Sequence, residues 1–223
     1  MKVTCIIPAY NEGPRVGVVV RAVVGHPLVD EVIVINDCST DNTLEVLKQE
    51  QGIHLINHEH NQGKTAAVLH GLEIARNDLI LMLDADLVGL DEASITSLIA
   101  PVLEGKADMT LSIRSNSLDF YKWIGLDFVS GERVFHKSIL GDLSGLRNLK
   151  GYGLEVYLNS IVLAKKLRLK IVYLAHVSLT FKAKKIGWWA GLKGEVGMVG
   201  QVVSTVGLVQ IVKQLIQMRR LRV

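Results

Sequence analysis

Only two cysteines occur in the 223 residues, Cys5 and Cys38, each inside an apolar, strand-like stretch. Such scarcity excludes a disulfide framework and a cysteine-built metal site. Both are expected to be buried free thiols of a protein from a reducing compartment, which predicts a cytoplasmic location. The N-terminal MKVTCIIPAYNE has too short an apolar run for a secretory signal. A spanning helix needs ~20 predominantly apolar residues. The uncharged run Val196–Val212 offers 17, broken by Gly197, Gly200, Gln201, Ser204, Thr205, Gly207 and Gln210. The chain also lacks internal repeats, low-complexity segments and the Gly-x4-Gly-Lys-Ser/Thr spacing of a phosphate-binding P-loop.

What remains is a chain long enough for one sizeable domain, with 49% apolar residues, which excludes disorder. Net charge is only +3, but its distribution is uneven: residues 182–223 carry eight Lys/Arg against Glu195 alone, while 1–181 are acidic by four charges. A basic tail of this kind suits an anionic partner.

Apolar strand-like runs at Val3–Ile7, Glu31–Ile35, Ile53–Asn57, Leu79–Leu83 and Ala107–Ile113 alternate with helical stretches at Val16–Val24, Thr43–Gln51, Thr65–Ala75 and Glu92–Leu103. This alternation predicts an α/β fold, a mostly parallel sheet flanked by helices. Ligands of such sheets bind at the carboxyl ends of the strands. Polar clusters stand at those ends. Pro8-Ala9-Tyr10-Asn11-Glu12 follows the first strand and offers a turn, a ring and a carboxamide. Asn36-Asp37-Cys38-Ser39-Thr40-Asp41 follows the second; Asp37 can accept from a base or ribose, and Asp41 suits a cap for the next helix. Asn61-Gln62-Gly63-Lys64 opens a helix, where an anion meets a lysine and a favourable helix dipole. Leu81-Met82-Leu83-Asp84-Ala85-Asp86 ends the fourth strand with two like charges one residue apart. Like charges this close repel, and a Mg2+ or Mn2+ ion, which prefers oxygen ligands, would hold them together. Alternation along an extended chain would aim both carboxylates to one side.

In this order the four motifs resemble the nucleotide-sugar half of family 2 glycosyltransferases with the GT-A fold, a Rossmann-like architecture. The resemblance covers about residues 1–115. It implies that Pro8, Ala9, Tyr10, Asn11, Glu12, Asp37 and Lys64 help hold a nucleotide diphosphate-sugar. It also implies that Asp84, Ala85 and Asp86 meet the metal and diphosphate. Asn36 departs from the family's usual Asp, and Cys38 from its usual Gly.

Residues 116–181 are expected to supply the acceptor half of the same domain. Ser130-Gly131-Glu132-Arg133 is similar to the Ser-Gly-x-Arg acceptor loop of polyprenyl-phosphate sugar transferases, and to a Gly-Gly-Glu loop of glucosyl-3-phosphoglycerate synthases. Gly151-Tyr152-Gly153-Leu154-Glu155 resembles a run found in both groups. Arg133, with Arg114 as a second cation, could pair with an acceptor phosphate; the plainer reading is an ion pair of these arginines with Glu132 or Glu155. Glu155 is the candidate base or orienting group, and Asp86, Glu155 and Arg133 are the candidate catalytic set. His176 is a candidate third metal ligand, although the corresponding histidine of the phosphoglycerate enzymes falls nearer Phe181. His54, His58, His60 and His70 have no ligand-like partner set.

Residues 182–223 read as a basic tail of helices that either lie on an anionic membrane, with Trp188 and Trp189 at the interface, or cover the domain or a twin subunit. The expected partners are a nucleotide-sugar, a polyprenyl phosphate or another phosphate- or hydroxyl-bearing acceptor, the cytoplasmic membrane face and a second copy in a homodimer. No nucleic acid is expected, since the tail lacks a recognition motif. A nucleotidylyltransferase is disfavoured by the absence of a Gly-rich, basic loop near the N-terminus. A catalytically silent sugar-nucleotide-binding scaffold is the other alternative.

Overall fold

A computed structural model describes residues 2–147, 149, 153–179 and 208–223, with backbone only for 208–213. Seven strands form one sheet: β1 (Val3–Ala9), β2 (Val29–Asn36), β3 (His54–Asn57), β4 (Leu79–Met82), β6 (Met109–Arg114), β7 (Arg133–His136) and β8 (Leu169–Leu174), in the order β3-β2-β1-β4-β7-β6-β8. β7 runs antiparallel to both β4 and β6, and the other neighbouring pairs are parallel. A two-stranded ribbon pairs β5 (Leu87–Val88) with β9 (Ser178–Leu179). The expectation of a mostly parallel α/β sheet holds. A strand-like run at Lys170–Leu174 is β8, whereas β7, in the stretch read as an acceptor loop, and the two-residue β5 and β9 were not expected.

The sheet is coated on both faces, so its strands carry near-continuous apolar runs. Period-two alternation sorts the side chains. Ile6, Ile33, Ile35, Ile80 and Phe135 join a core with α3 (Lys64–Ile74) and α6 (Gly153–Lys165). Cys5, Ile7, Val32, Val34 and Val134 join a second core with α1 (Gly13–Val23) and α4 (Glu92–Leu103). The two remaining helices before the C-terminal segment are α2 (Thr43–Gln49) and α5 (Asp119–Ile124). β1 continues through Pro8, which the sequence reading took as its end. β4 pairs with β1 only as far as Met82 opposite Ile6, so the missing donor of Pro8 lies beyond that ladder.

The C-terminal α7 (Leu208–Arg219) packs on α6, burying Leu215 and Met218 in the first core. The amide of Leu169 then donates to Leu221 and that of Val223 to Leu169, both across the edge of β8. Residues 208–223 therefore cover the domain. The tail's other part, with Trp188 and Trp189, lies outside the described residues. Among the described residues no helix is long and apolar enough to cross a membrane.

Candidate active site

All four motifs close one cavity of 170 Å3 at the carboxyl ends of β1, β2 and β4 and the start of α3. Its walls are Pro8, Ala9, Tyr10, Glu12, Asp37, Lys64, Ala67, Asp84, Ala85 and Asp86. A recess of 430 Å3 lies at the strands' amino ends, beside Asp30, Glu31, His54 and Arg76. None of the motifs reaches it, and Glu31 is already bound by Thr4 and Arg76. Size therefore does not identify the site; the convergence of motifs does.

The first two loops are knitted together. Asn11 has φ 56°, and its carboxamide oxygen accepts from the Thr40 amide at 2.8 Å, while its own amide donates to Ser39 Oγ. The amides of Glu12 and Gly13 donate to Thr43 Oγ1 and Asp41. Asp41 also accepts from the Thr43 amide and hydroxyl, so it braces two helix starts at once. Those bonds hold its carboxyl below the usual range although burial opposes them.

Asp37 is buried and faces inward. Its Oδ1 accepts from the Gln62 amide at 2.9 Å and its Oδ2 from the Gly63 amide at 2.7 Å. His58 Nδ1 donates to the same carboxylate at 2.8 Å, leaving His58 Nε2 to accept from His70 Nδ1 at 3.1 Å. The two histidines thus serve Asp37 rather than a metal. Asp37 pins the loop that delivers Lys64, and Gly63 makes the turn into α3 at φ 87°, where a side chain would be strained. Asn36 bonds Asn57 and Ser39, a structural use of the position where the family has Asp. Cys38 sits at φ 58°, the left-handed region that explains the family's usual glycine. Both thiols are free, as expected; Cys5 is buried, and burial pushes its thiol well up, whereas Cys38 is partly exposed.

Lys64 reaches across the site. Its Nζ donates to Asp84 Oδ1 at 2.7 Å and to Glu155 Oε1 at 2.9 Å. Burial alone would lower the lysine, but the two carboxylates hold it above its usual range. Burial would likewise raise Asp84, and the nearby Lys64 ammonium overrides it and holds the carboxyl low. Glu155 is buried, and its Oε2 has no hydrogen-bond partner among the described residues. The chain turns at Ala85–Asp86 instead of continuing extended, yet both carboxylates still line the cavity.

Behind this triad lies a second charged layer. Period two puts Arg133 on the face of Phe135, toward α6. There its guanidinium donates to Ser130 O, Phe128 O and Asn159 Oδ1 at 2.8 to 2.9 Å. Burial pushes Arg133 down to about 10, against the pull of Glu155, Asp127 and Glu132. Arg114 Nη1 grips Glu132 at 2.7 Å and Nη2 approaches Asp127 at 3.3 Å. Ser112 and Ser130 hydroxyls complete the cage around Glu132. Neither arginine lines the cavity. Arg114 makes the ion pair of the plainer reading, and Arg133 clasps the loop through Ser130 O, Phe128 O and Asn159. Gly131, between them, approaches the triad so closely that a Cβ there would lie 2.6 Å from Asp84 Oδ1 and 2.7 Å from Lys64 Nζ.

The donor set fits a divalent oxygen-seeking cation. Asp84 and Asp86 offer carboxylates to the cavity. Around them Asp127, Glu132 and Glu155 bring the acids to five against the cations Lys64, Arg114 and Arg133, an excess of two negative charges when all are ionised. Burial pushes Asp127 up. Two carboxylates can serve Mg2+ or Mn2+, ions that keep water and substrate phosphate oxygens as further ligands. His176 does not join the pair. It is exposed in the turn between β8 and β9, where its carbonyl crowds Gly89. Phe181 lies outside the described residues.

Comparison with known proteins accords with this arrangement. The chain is 29% identical over 178 residues to a dodecaprenyl-phosphate galacturonate synthase of Rhizobium johnstonii, covering 75% of this chain and 51% of that protein. It is 28% identical over 207 residues to a UDP-N-acetylglucosamine–dolichyl-phosphate N-acetylglucosaminyltransferase of Methanococcus voltae, covering 74% and 81%. Against the first of these the chain spans about half the relative's length, and against a dolichyl-phosphate beta-glucosyltransferase of Trichomonas vaginalis 44%. A crystal structure of glucosyl-3-phosphoglycerate synthase from Mycobacterium tuberculosis, in complex with Mn2+, UDP and phosphoglyceric acid, superposes with a TM-score of 0.71 at 20% identity, covering 96% of this chain and 78% of that one. The family described as glycosyl transferase family 2 matches residues 4–150, about two thirds of the sequence, and the chain belongs to it.

Proposed function

We propose that this chain transfers a sugar from a nucleotide diphosphate-sugar to a polyprenyl phosphate, with Mg2+ or Mn2+ as cofactor. The observation that carries the reading is the Asp84–Lys64–Glu155 bridge beside a cavity lined by donor motifs. Residues 1–115 form the donor half and 116–181 the acceptor half. The activities for which the Rhizobium and Methanococcus relatives are named support a lipid-linked phosphate as the acceptor, and hence work at the cytoplasmic face of a membrane.

Tyr10, with Pro8, Ala9 and Glu12, receives the nucleoside. Asp37 stands in the same wall and also fixes the backbone that carries Lys64. Asp84 and Asp86 would hold the cation, which when bound supplies Lewis-acid neutralisation of the departing diphosphate. The acceptor oxygen attacks the anomeric carbon, the bond from that carbon to the diphosphate breaks, and its electron pair leaves with the nucleoside diphosphate. An ionised phosphate acceptor needs no proton removed. Glu155 then has one task, to fix the Lys64 ammonium at the diphosphate. Arg133 and Arg114 set the shape of the 127–131 loop that borders the attack.

Calorimetry with UDP, GDP and their sugars, with and without Mn2+, tests donor binding. A screen of donors against polyprenyl phosphates, read by mass spectrometry, tests transfer. Cation-dependent donor binding with no product on any lipid or small acceptor would overturn the enzymatic reading in favour of a silent scaffold.

A further inference from the structure

Aromatic residues are scarce in this chain, 5% of the sequence, yet several lie on one surface. On and before the six-residue α5, Leu118 is 45% exposed, Phe120 54% and Trp123 80%. Tyr121 turns inward from the same helix and packs edge-on against Phe128, so the helix is anchored while its outer face is left apolar. Tyr173, 62% exposed on β8, adjoins the patch: its hydroxyl lies 3.1 Å from where a Cβ of Gly125 would be.

Basic groups edge this surface. Lys122 lies between Phe120 and Trp123 on α5. Arg222 bonds the carbonyl of Gly125 at 2.9 Å and reaches that of Ile124, which ties the C-terminal segment Arg219-Arg220-Leu221-Arg222 to the end of the helix. The helix carries one acid, Asp119, 3.6 Å from Lys122. A rigid aromatic face rimmed by cations fits the interfacial zone of a bilayer, where Trp and Phe enter the headgroup boundary and Lys and Arg meet anionic lipid phosphates. From Gly125 the chain needs only Leu126 to Ser130 to reach Gly131 at the Asp84–Lys64 pair.

We propose that Leu118, Phe120 and Trp123, with Lys122 and Arg222, form a docking surface for an anionic phospholipid bilayer. Docking there sets the acceptor loop beside the membrane. The inference rests on the lipid-linked acceptor proposed above, but vesicle binding tests it without donor or turnover.

The full chain is sedimented with vesicles of phosphatidylcholine and of an equimolar phosphatidylcholine–phosphatidylglycerol mixture. It is expected to partition onto the anionic vesicles, less so at high salt, and the double variant F120S/W123S to bind about tenfold more weakly or less. Calorimetry with UDP and Mn2+ reports that the variant keeps its donor site. Equal binding to both vesicle types, or unchanged binding of the variant, overturns the proposal. So does a patch occupied by a second copy, seen as loss of a dimer by F120S/W123S without loss of vesicle binding. In W188F/W189F, Trp123 is the remaining tryptophan. Quenching of its fluorescence by brominated lipid supports the docking surface, and no quenching on bound vesicles overturns it, which keeps the test decisive if the double serine variant misfolds.

Discussion

The two halves of the domain use charge in opposite ways. In the proposed donor half, Lys64, Asp84 and Asp86 stand at the ends of regular elements and face the cavity. Asp127, Glu132, Arg133 and Glu155 of the proposed acceptor half, with Arg114 at the border between the two, are withdrawn behind it, and nearly all of their bonds go to one another, to serines or to backbone carbonyls. A parallel sheet with helix starts at its carboxyl edge presents donors and acceptors to a ligand without further support. An antiparallel strand inserted into that sheet offers no such edge, so its loop needs internal scaffolding. Lys64 belongs to both arrangements, as the one described ammonium bonded to each half.

Breaking the comparison on the donor side should have the largest effect. Asp86→Ala removes a cavity carboxylate and should lower turnover by roughly a thousandfold, about 4 kcal/mol of barrier, with cation-dependent donor binding lost in calorimetry. Retained Mn2+ dependence would mean that Asp86 does not serve the cation. On the acceptor side the expected cost is to folding. Arg133→Met should destabilise the domain by about 3 kcal/mol in urea titrations, because Ser130 O, Phe128 O and Asn159 lose their donor inside the fold. A variant of normal stability with weakened acceptor binding would return Arg133 to the acceptor.

The shared residue sharpens the comparison further. Lys64→Met should cost about 2 kcal/mol at neutral pH, less than a fully buried pair because the lysine is partly exposed. The direction with pH follows from the two shifts. Asp84 titrates lower in the folded state, so its stabilisation exists above its unfolded value and is lost as pH falls through the folded one. Lys64 titrates higher, so its contribution exists below its unfolded value and is lost as pH rises through the folded one. The stability gap between wild type and variant should therefore be widest near neutrality and shrink below about pH 4. A gap that does not change with acid would refute the bridge. The smallest effect belongs to Cys38→Gly. It relieves a left-handed backbone and should stabilise by about 1 kcal/mol at most, read as a small rise in Tm.

Much of the donor half was legible because its signals are local. A β-rich run, a polar stop and a helix start follow one another within a dozen residues, and period-two alternation in Ile33–Ile35 or Cys5–Ile7 already assigns faces. The acceptor half was less legible. β7 is four residues long and opens with an arginine, so it read as a loop. The partners of Arg114 lie 13 and 18 residues away, and Arg133 finds Asn159 at a separation of 26. Nothing in the spacing distinguishes these bonds from contacts with an acceptor. Asp37 was legible as a residue of the site, whereas its second use, receiving His58 and the amides of Gln62 and Gly63, was not. His176 carried only an analogy of position. The patch on α5 was not noticed at all, since Phe120 and Trp123 resemble core residues until Tyr121 occupies the core.

Gly131 fixes the clearance between the two halves. The atoms that an added methyl would strike are side-chain tips, Asp84 Oδ1 and Lys64 Nζ, which can swing aside. The fold would therefore tolerate alanine at this position with little loss of stability, while the ammonium and carboxylate would be pushed out of register with each other. Position 131 behaves as a spacer whose tolerance is one carbon atom, fainter in a melting curve than in an assay of transfer.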